Sequence, residues 1–302
     1  DDDETDLYPV ALTREALMPG TVFADPYGHL LVLVQWVPPS AGRAGILMGA
    51  DAQPDGTIGR RTFWRGTFLF TSDTRDVGAG FKAFRPVVYD DETETYRELL
   101  NAELRPRDGH PPYSRDQYTG STDDFYDAME ALIDPHPLDP ETRLVGLVDA
   151  LEESVVRRVV SVDNGEGYFR EHPSAVIPMP DGTDIFETAG PWEDFSTPSR
   201  DMRLLIAFDT VTGFPAVVRR RPERFRMPET ESLDAVVARL EARRDALLGE
   251  RRFSYTRSDG SARDLTLAEL VARSAGIEVA WNPNDCPEIR WGAETGSEEA
   301  ST

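Results

Sequence analysis

Short apolar runs rich in β-branched and aromatic residues fill the first third of the chain. Residues 20–25 (GTVFAD) and 30–37 (LLVLVQWV) read as strands, with Pro26-Tyr27-Gly28-His29 as the turn between them. Residues 45–50 (GILMGA) and 57–64 follow, joined by Pro54-Asp55-Gly56-Thr57, and an Asp-Gly pair between two such runs is a hairpin signal. Residues 68–70 add an edge strand, which predicts an antiparallel sheet of four or five strands. From about Asp90 the apolar spacing becomes helical. It predicts helices over 92–104 and 122–133, the second with Ser121 or Thr122 as N-cap. A longer helix starts with Asp139 as N-cap and Pro140 in its first turn. It runs to about Ser161 and buries Leu144, Leu147, Val148, Leu151, Val155 and Val159 on one face.

Residues 164–184 are dense in Gly, Pro and His and read as a loop. Thr197-Pro198 opens a helix to about Thr210 that buries Leu204, Leu205, Ile206 and Phe208. Ser232 opens another over 233–250, a hairpin spans FSYTRSDGS, and Thr266 caps a helix over 267–275. The segment WNPNDCPEIRWG reads as irregular and anchored by its aromatic residues, and the tail 292–302 as disordered. The fold class is therefore α+β, an antiparallel sheet in the first third with helices packed around it. The expected division is a β-rich part over 1–89 and a helical α+β remainder over 90–291, in the same domain or a second one, with the seam near Asp90.

Composition narrows the function. Fifty-five acidic residues against 32 basic ones give a formal charge of −23, a surface that repels phosphate backbones and argues against nucleic-acid binding. No apolar run approaches the roughly 20 residues of a membrane helix, so no membrane span is expected. Cys286 is the single cysteine, which rules out an internal disulfide. His29, His110, His136 and His172 are widely spaced and lack zinc-site geometry. No metal or cofactor is expected. The chain opens on Asp1-Asp2-Asp3-Glu4 without a methionine or an export signal, so the expectation is a processed start or a sequence that begins inside a longer protein.

The most informative stretch is 19–51. A strand ends, Gly28-His29 opens the next, and Asp51 closes a third. In this arrangement a rigid strand fixes an imidazole, a carboxylate holds its tautomer, and the other ring nitrogen is left for a nucleophile. Over some 35–50 residues the pattern resembles the papain-like thiol hydrolase superfamily, and within it the NlpC-type cell-wall peptidases, where a Gly-His-apolar strand carries the catalytic base. The resemblance implies an amide hydrolase, peptidase or amidase, with His29 as general base, Asp51 as its orienting partner, and Gln35 and Gln53 as polar neighbours. Its substrate would be a peptide or a cell-wall stem. The plainer reading leaves His29 at the start of a surface strand and Asp51 at a turn.

One feature departs from that family, in which the nucleophilic Cys precedes the His: none of the 28 residues before His29 is a cysteine. Three arrangements fit: a nucleophile on a missing segment, such as a cleaved N-terminal fragment of the same protein; a circular permutation with Cys286 as nucleophile; or a non-catalytic relative. Cys286 lies between Asp285 and Pro287-Glu288 with little chain left for a helix, and acidic neighbours raise a thiol pKa, which favours a structural role. The segments PGTVFADPYGHLLVLVQW, GFKAFRP, GPWEDFSTPSRDMRLLIAFD and NPNDCPEIRWGA also resemble exported bacterial proteins that carry a further Cys-containing segment. That resemblance implies an extracytoplasmic location, periplasmic or secreted. Trp192, in Gly190-Pro191-Trp192-Glu193-Asp194, is a candidate stacking platform for substrate, although a Trp beside a helix start is more commonly packing. The competing function is a non-catalytic binding or structural protein on a papain-like-derived scaffold.

Overall fold

A computed structural model describes residues 3, 5–26, 28–40, 43–52, 58–73, 78–105, 109–181 and 190–301. The chain is α+β and divides into two compact units, residues 1–136 and 137–302. The seam expected near Asp90 falls inside the first unit, within a hairpin.

The first unit is built on six strands: β1 (Leu7–Pro9), β2 (Val22–Ala24), β3 (Leu30–Val37), β4 (Ile46–Ala52), β5 (Ile58–Thr62) and β6 (Gly80–Phe84). They form one antiparallel sheet in the order β1-β6-β2-β3-β4-β5. Strand β6 inserts between β1 and β2, and β1 and β6 lie outside the simple hairpin series read from the sequence. The apolar residues of one face, Phe23, Leu31, Leu33, Leu47 and Phe81, are all buried. On them packs α1 (Thr122–Ile133), which contributes Phe125, Tyr126, Met129 and Ile133 to the same core. Ser121 caps α1 as expected, accepting from the Asp124 amide, while the Asp124 carboxylate accepts from the Ser121 amide in return.

Two expectations in this unit are corrected. Residues 68–70 form no strand; Phe68 and Phe70 are core residues, and Tyr126 ties the segment to α1 by accepting from Phe70 N and donating to Phe68 O. Residues 92–104 form no helix. Val87–Asp90 (β7) and Thr95–Glu98 (β8) pair as a hairpin instead, followed by a short 3-10 turn at Asn101–Glu103. The cause is local: the Asp90 carboxylate accepts from the amides of Glu92 and Thr93, closing a turn, and Tyr89 packs edge-on against its cross-strand partner Tyr96.

The second unit is mainly helical: α2 (Pro140–Glu171), α3 (Pro191–Phe195), α4 (Pro198–Arg220) and α5 (Leu233–Glu250), then the hairpin β9 (Arg252–Thr256) and β10 (Ala262–Thr266), and the short helices α6 (Leu267–Ala272), α7 (Ser274–Ile277) and α8 (Pro287–Arg290). Helix α2 packs against both α4 and α5. Asp139, Ser232 and Thr266 cap α2, α5 and α6 as their sequence positions predict. Helices α2 and α4 each run about ten residues beyond the predicted ends. Gly165, inside the extension of α2, leaves room for Arg290, whose Nη1 would stand 3.2 Å from a Cβ there, and Phe195 packs against the same turn. Of the residues expected to be buried on α4, Leu204 and Phe208 are, while Leu205 and Ile206 are half-buried. The tail is docked rather than disordered: Glu299 accepts two hydrogen bonds from the Arg273 guanidinium at 3.0 and 2.9 Å and one from the Tyr255 hydroxyl at 2.8 Å.

Candidate functional site

The turn between β2 and β3 sets the position of His29. Asp25 accepts from the His29 amide through its carboxylate and donates its own amide to the His29 carbonyl, both at 2.9 Å. Gly28 closes the turn at φ +90°, a conformation that a side chain would strain. Together these contacts place His29 at the head of β3 with its ring half in solvent.

Asp51 lies next to last in β4, on the same face of the sheet as Leu47 and Gly49, and its side chain is 1% exposed. The two residues meet: His29 Nε2 lies 3.1 Å from Asp51 Oδ2. A third group joins them. Arg61 on β5 donates its Nε–H to the same carboxylate oxygen at 2.9 Å. The room for this cluster comes from Gly59, the residue paired with Asp51 across the β4–β5 ladder, because a Cβ there would collide with Asp51 Oδ1.

The electrostatics follow from this packing. Burial works against ionising Asp51, but hydrogen bonds from Arg61 and His29, reinforced by their charges, outweigh it and hold the carboxyl below the usual carboxylate range. An ionised carboxylate only accepts, so the contact requires a proton on His29 Nε2. In neutral His29 the lone pair is then on Nδ1, and the His29 side chain is 42% exposed. A ring held this way can take a proton from a nucleophile or donate one to a leaving group.

The other sequence candidates lie elsewhere on the sheet, in the second unit or outside the described residues. Gln35 is exposed and lies six residues along β3, beyond a bulge between Leu33 and Gln35; at about 3.3 Å per residue it is roughly 20 Å from the His29 end. Gln53 and the turn at 54–57 lie outside the described residues. Trp192 belongs to the second unit, is 5% exposed, and packs edge-on against Trp281, so its faces offer no open platform. Cys286, also in the second unit, precedes the four-residue α8; burial, with the Glu288 carboxylate beside it, pushes its thiol up and disfavours the thiolate. Among the described residues no cluster of three or more metal-ligating side chains occurs, and no helix is long and apolar enough to cross a membrane.

Arg61 was not among the sequence candidates, and its place follows from the strand register. Strand β5 pairs with β4 so that Gly59 faces Asp51, and two residues on, Arg61 shares that face. Comparison with protein-family models, with curated proteins and with solved structures gives no match to this chain.

Proposed function

We propose that the first unit supplies the base of a thiol-type amide hydrolase, a peptidase or amidase, with the nucleophile provided by a segment outside this sequence. The observation that carries the reading is the 3.1 Å contact between the exposed His29 ring and a carboxylate buried on a neighbouring strand. In the proposed role Nδ1 of His29 accepts the thiol proton, the thiolate attacks the amide carbonyl, and His29 then protonates the leaving amine. Asp51 fixes the ring and stabilises the imidazolium, and Arg61 and Gly59 hold Asp51 in place. Cys286 is not assigned the nucleophile, since its environment raises the thiol pKa. An extracytoplasmic location and a peptide or cell-wall-like substrate belong to the same proposal.

A second reading, a non-catalytic binding or structural protein, is favoured by one observation: Arg61 takes the same Asp51 oxygen as His29. There the cluster acts as a strand-to-strand clasp. The deciding experiment is to isolate the protein as its source produces it and treat it with a thiol-directed probe. The hydrolase reading predicts a co-purifying Cys-containing fragment whose labelling, together with amide hydrolysis, falls at least 100-fold in His29→Ala. A protein that travels alone and differs from His29→Ala only in stability supports the clasp.

A further inference from the structure

The interior of the second unit holds a different set of charges. Arg158 of α2 and Arg290 of α8 are both fully buried, with 1% and 0% exposure. Arg158 is paired with Asp201 of α4, through Nε at 2.6 Å and Nη2 at 3.2 Å, and Asp201 also accepts from the Thr197 hydroxyl at 2.9 Å. Arg290 has no such partner: it donates from Nη2 to the Phe195 carbonyl at 2.9 Å, and no carboxylate lies within ion-pair distance among the described residues. Of the two guanidiniums only Arg158 touches a carboxylate; Glu166 and Asp285 act on Arg290 through space without an ion pair or hydrogen bond to it.

The Arg290 charge is accompanied by unused donors. Nη1 of Arg158, Nη1 and Nε of Arg290, and Nε1 of Trp291 are buried and bond to no described residue. Arg158 stacks on the Trp291 ring with 4.6 Å from Cζ to the centroid, Arg290 Nη1 lies against Gly165 of the same helix as Arg158, and the two guanidiniums repel each other, so the donors belong to one locale. Burial, and next the Arg158 charge, push the Arg290 pKa down to about 10, which leaves the side chain protonated at neutral pH. A buried cation with open donors is strongly unfavourable unless something negative or hydrogen-bond-accepting meets it. The described carboxyls that act on Arg290 besides Asp201, Glu166 on α2 and Asp285, are both pushed up by burial, towards the neutral form, and neither is hydrogen-bonded to it.

We propose that Arg158 and Arg290 hold a small monovalent anion, of halide or formate size, within the second unit. The ion bridges the two Nη1 groups, accepts from donors that otherwise have no partner and lets two like-charged side chains occupy one core. Full enclosure restricts the ligand to small species, and a single guanidinium without an ion-pair partner favours a monovalent ion. This site is independent of the His29 cluster.

The test uses the full chain in a buffer whose only anion is gluconate, too large to be enclosed. Replacing gluconate by chloride, bromide or formate at constant ionic strength is expected to raise the melting temperature along a saturating curve, with sulfate ineffective. Constant ionic strength removes the general screening that benefits any protein of this charge. Arg290→Met is expected to flatten the response. Should that variant not fold, bromide-soaked crystals of the unaltered protein carry the test, with an anomalous peak expected within hydrogen-bond distance of both Nη1 atoms. Three results would overturn the proposal: an absent or non-saturating response, an equal response in Arg290→Met, or bromide peaks only at the surface.

Discussion

Placing a methyl group on Gly59 tests the packing of the candidate site. Gly59 is outside the left-handed region, so alanine carries no backbone strain there. In a strand it would ordinarily gain about 0.5–1 kcal/mol over glycine. Against that, the new Cβ would sit on Asp51 Oδ1 and only 3.3 Å from Arg61 Nη2. Keeping the carboxylate in place costs about 1–3 kcal/mol of overpacking. Swinging it away gives up charge-assisted hydrogen bonds worth about 1.5–3 kcal/mol each when buried. Their loss is discounted because the His29 and Arg61 side chains, 42% and 27% exposed, can turn to water. The steric and electrostatic penalties exceed the conformational gain, and Gly59→Ala is expected to lose about 1–2 kcal/mol. Urea denaturation followed by near-ultraviolet circular dichroism measures it as a lower midpoint at unchanged slope. The His29 ring resonances should shift in the same variant. A Gly59→Ala protein as stable as the parent, with unmoved His29 signals, refutes this account of how Asp51 is held.

Three further outcomes follow from named contacts. Asp201→Ala leaves Arg158 charged and buried without its carboxylate, and breaking such a pair costs about 3–5 kcal/mol; at roughly 2–4 °C per kcal/mol the melting temperature should fall by about 6–20 °C, and a fall under 2 °C contradicts the pairing. Asp51 is depressed in the folded state, so its contribution is fully present above the unfolded carboxylate range and lost as pH falls through the lower folded value. The stability difference between the parent and Asp51→Asn should therefore shrink below about pH 4, and a difference that widens on acidification contradicts the assignment. Cys286, with its thiol pushed up, should react with iodoacetamide far more slowly at pH 7 than a free cysteine and accelerate only in alkaline solution. Rapid alkylation at neutral pH would reopen it as a nucleophile.

The pairing of His29 with Asp51 was legible because each residue stands at an end of a recognisable strand, where antiparallel order brings ends together. Arg61 required the β4–β5 register, which an apolar pattern leaves open when the strand reads Ile-Gly-Arg-Arg-Thr. Strand β6 was hidden for a related reason: Gly80 and Lys82 interrupt its apolar pattern, yet Lys82 is buried and donates to the Tyr118 hydroxyl. Residues 92–104 have helical spacing, but the side-chain turn at Asp90 and the Tyr89–Tyr96 pair outweigh a weak propensity. The packing of Phe195 and Arg290 against Gly165 of α2 is a tertiary contact that no local window contains.

The most direct measurement of the central claim is the tautomer of His29, read from long-range nitrogen–proton correlations in ring-labelled protein above the imidazole titration. The account predicts a proton on Nε2 and a bare Nδ1, with the two tautomers mixing in Asp51→Asn. A proton on Nδ1 in the unaltered protein, or spectra indifferent to Asp51→Asn, would contradict the pairing and remove His29 as an oriented base.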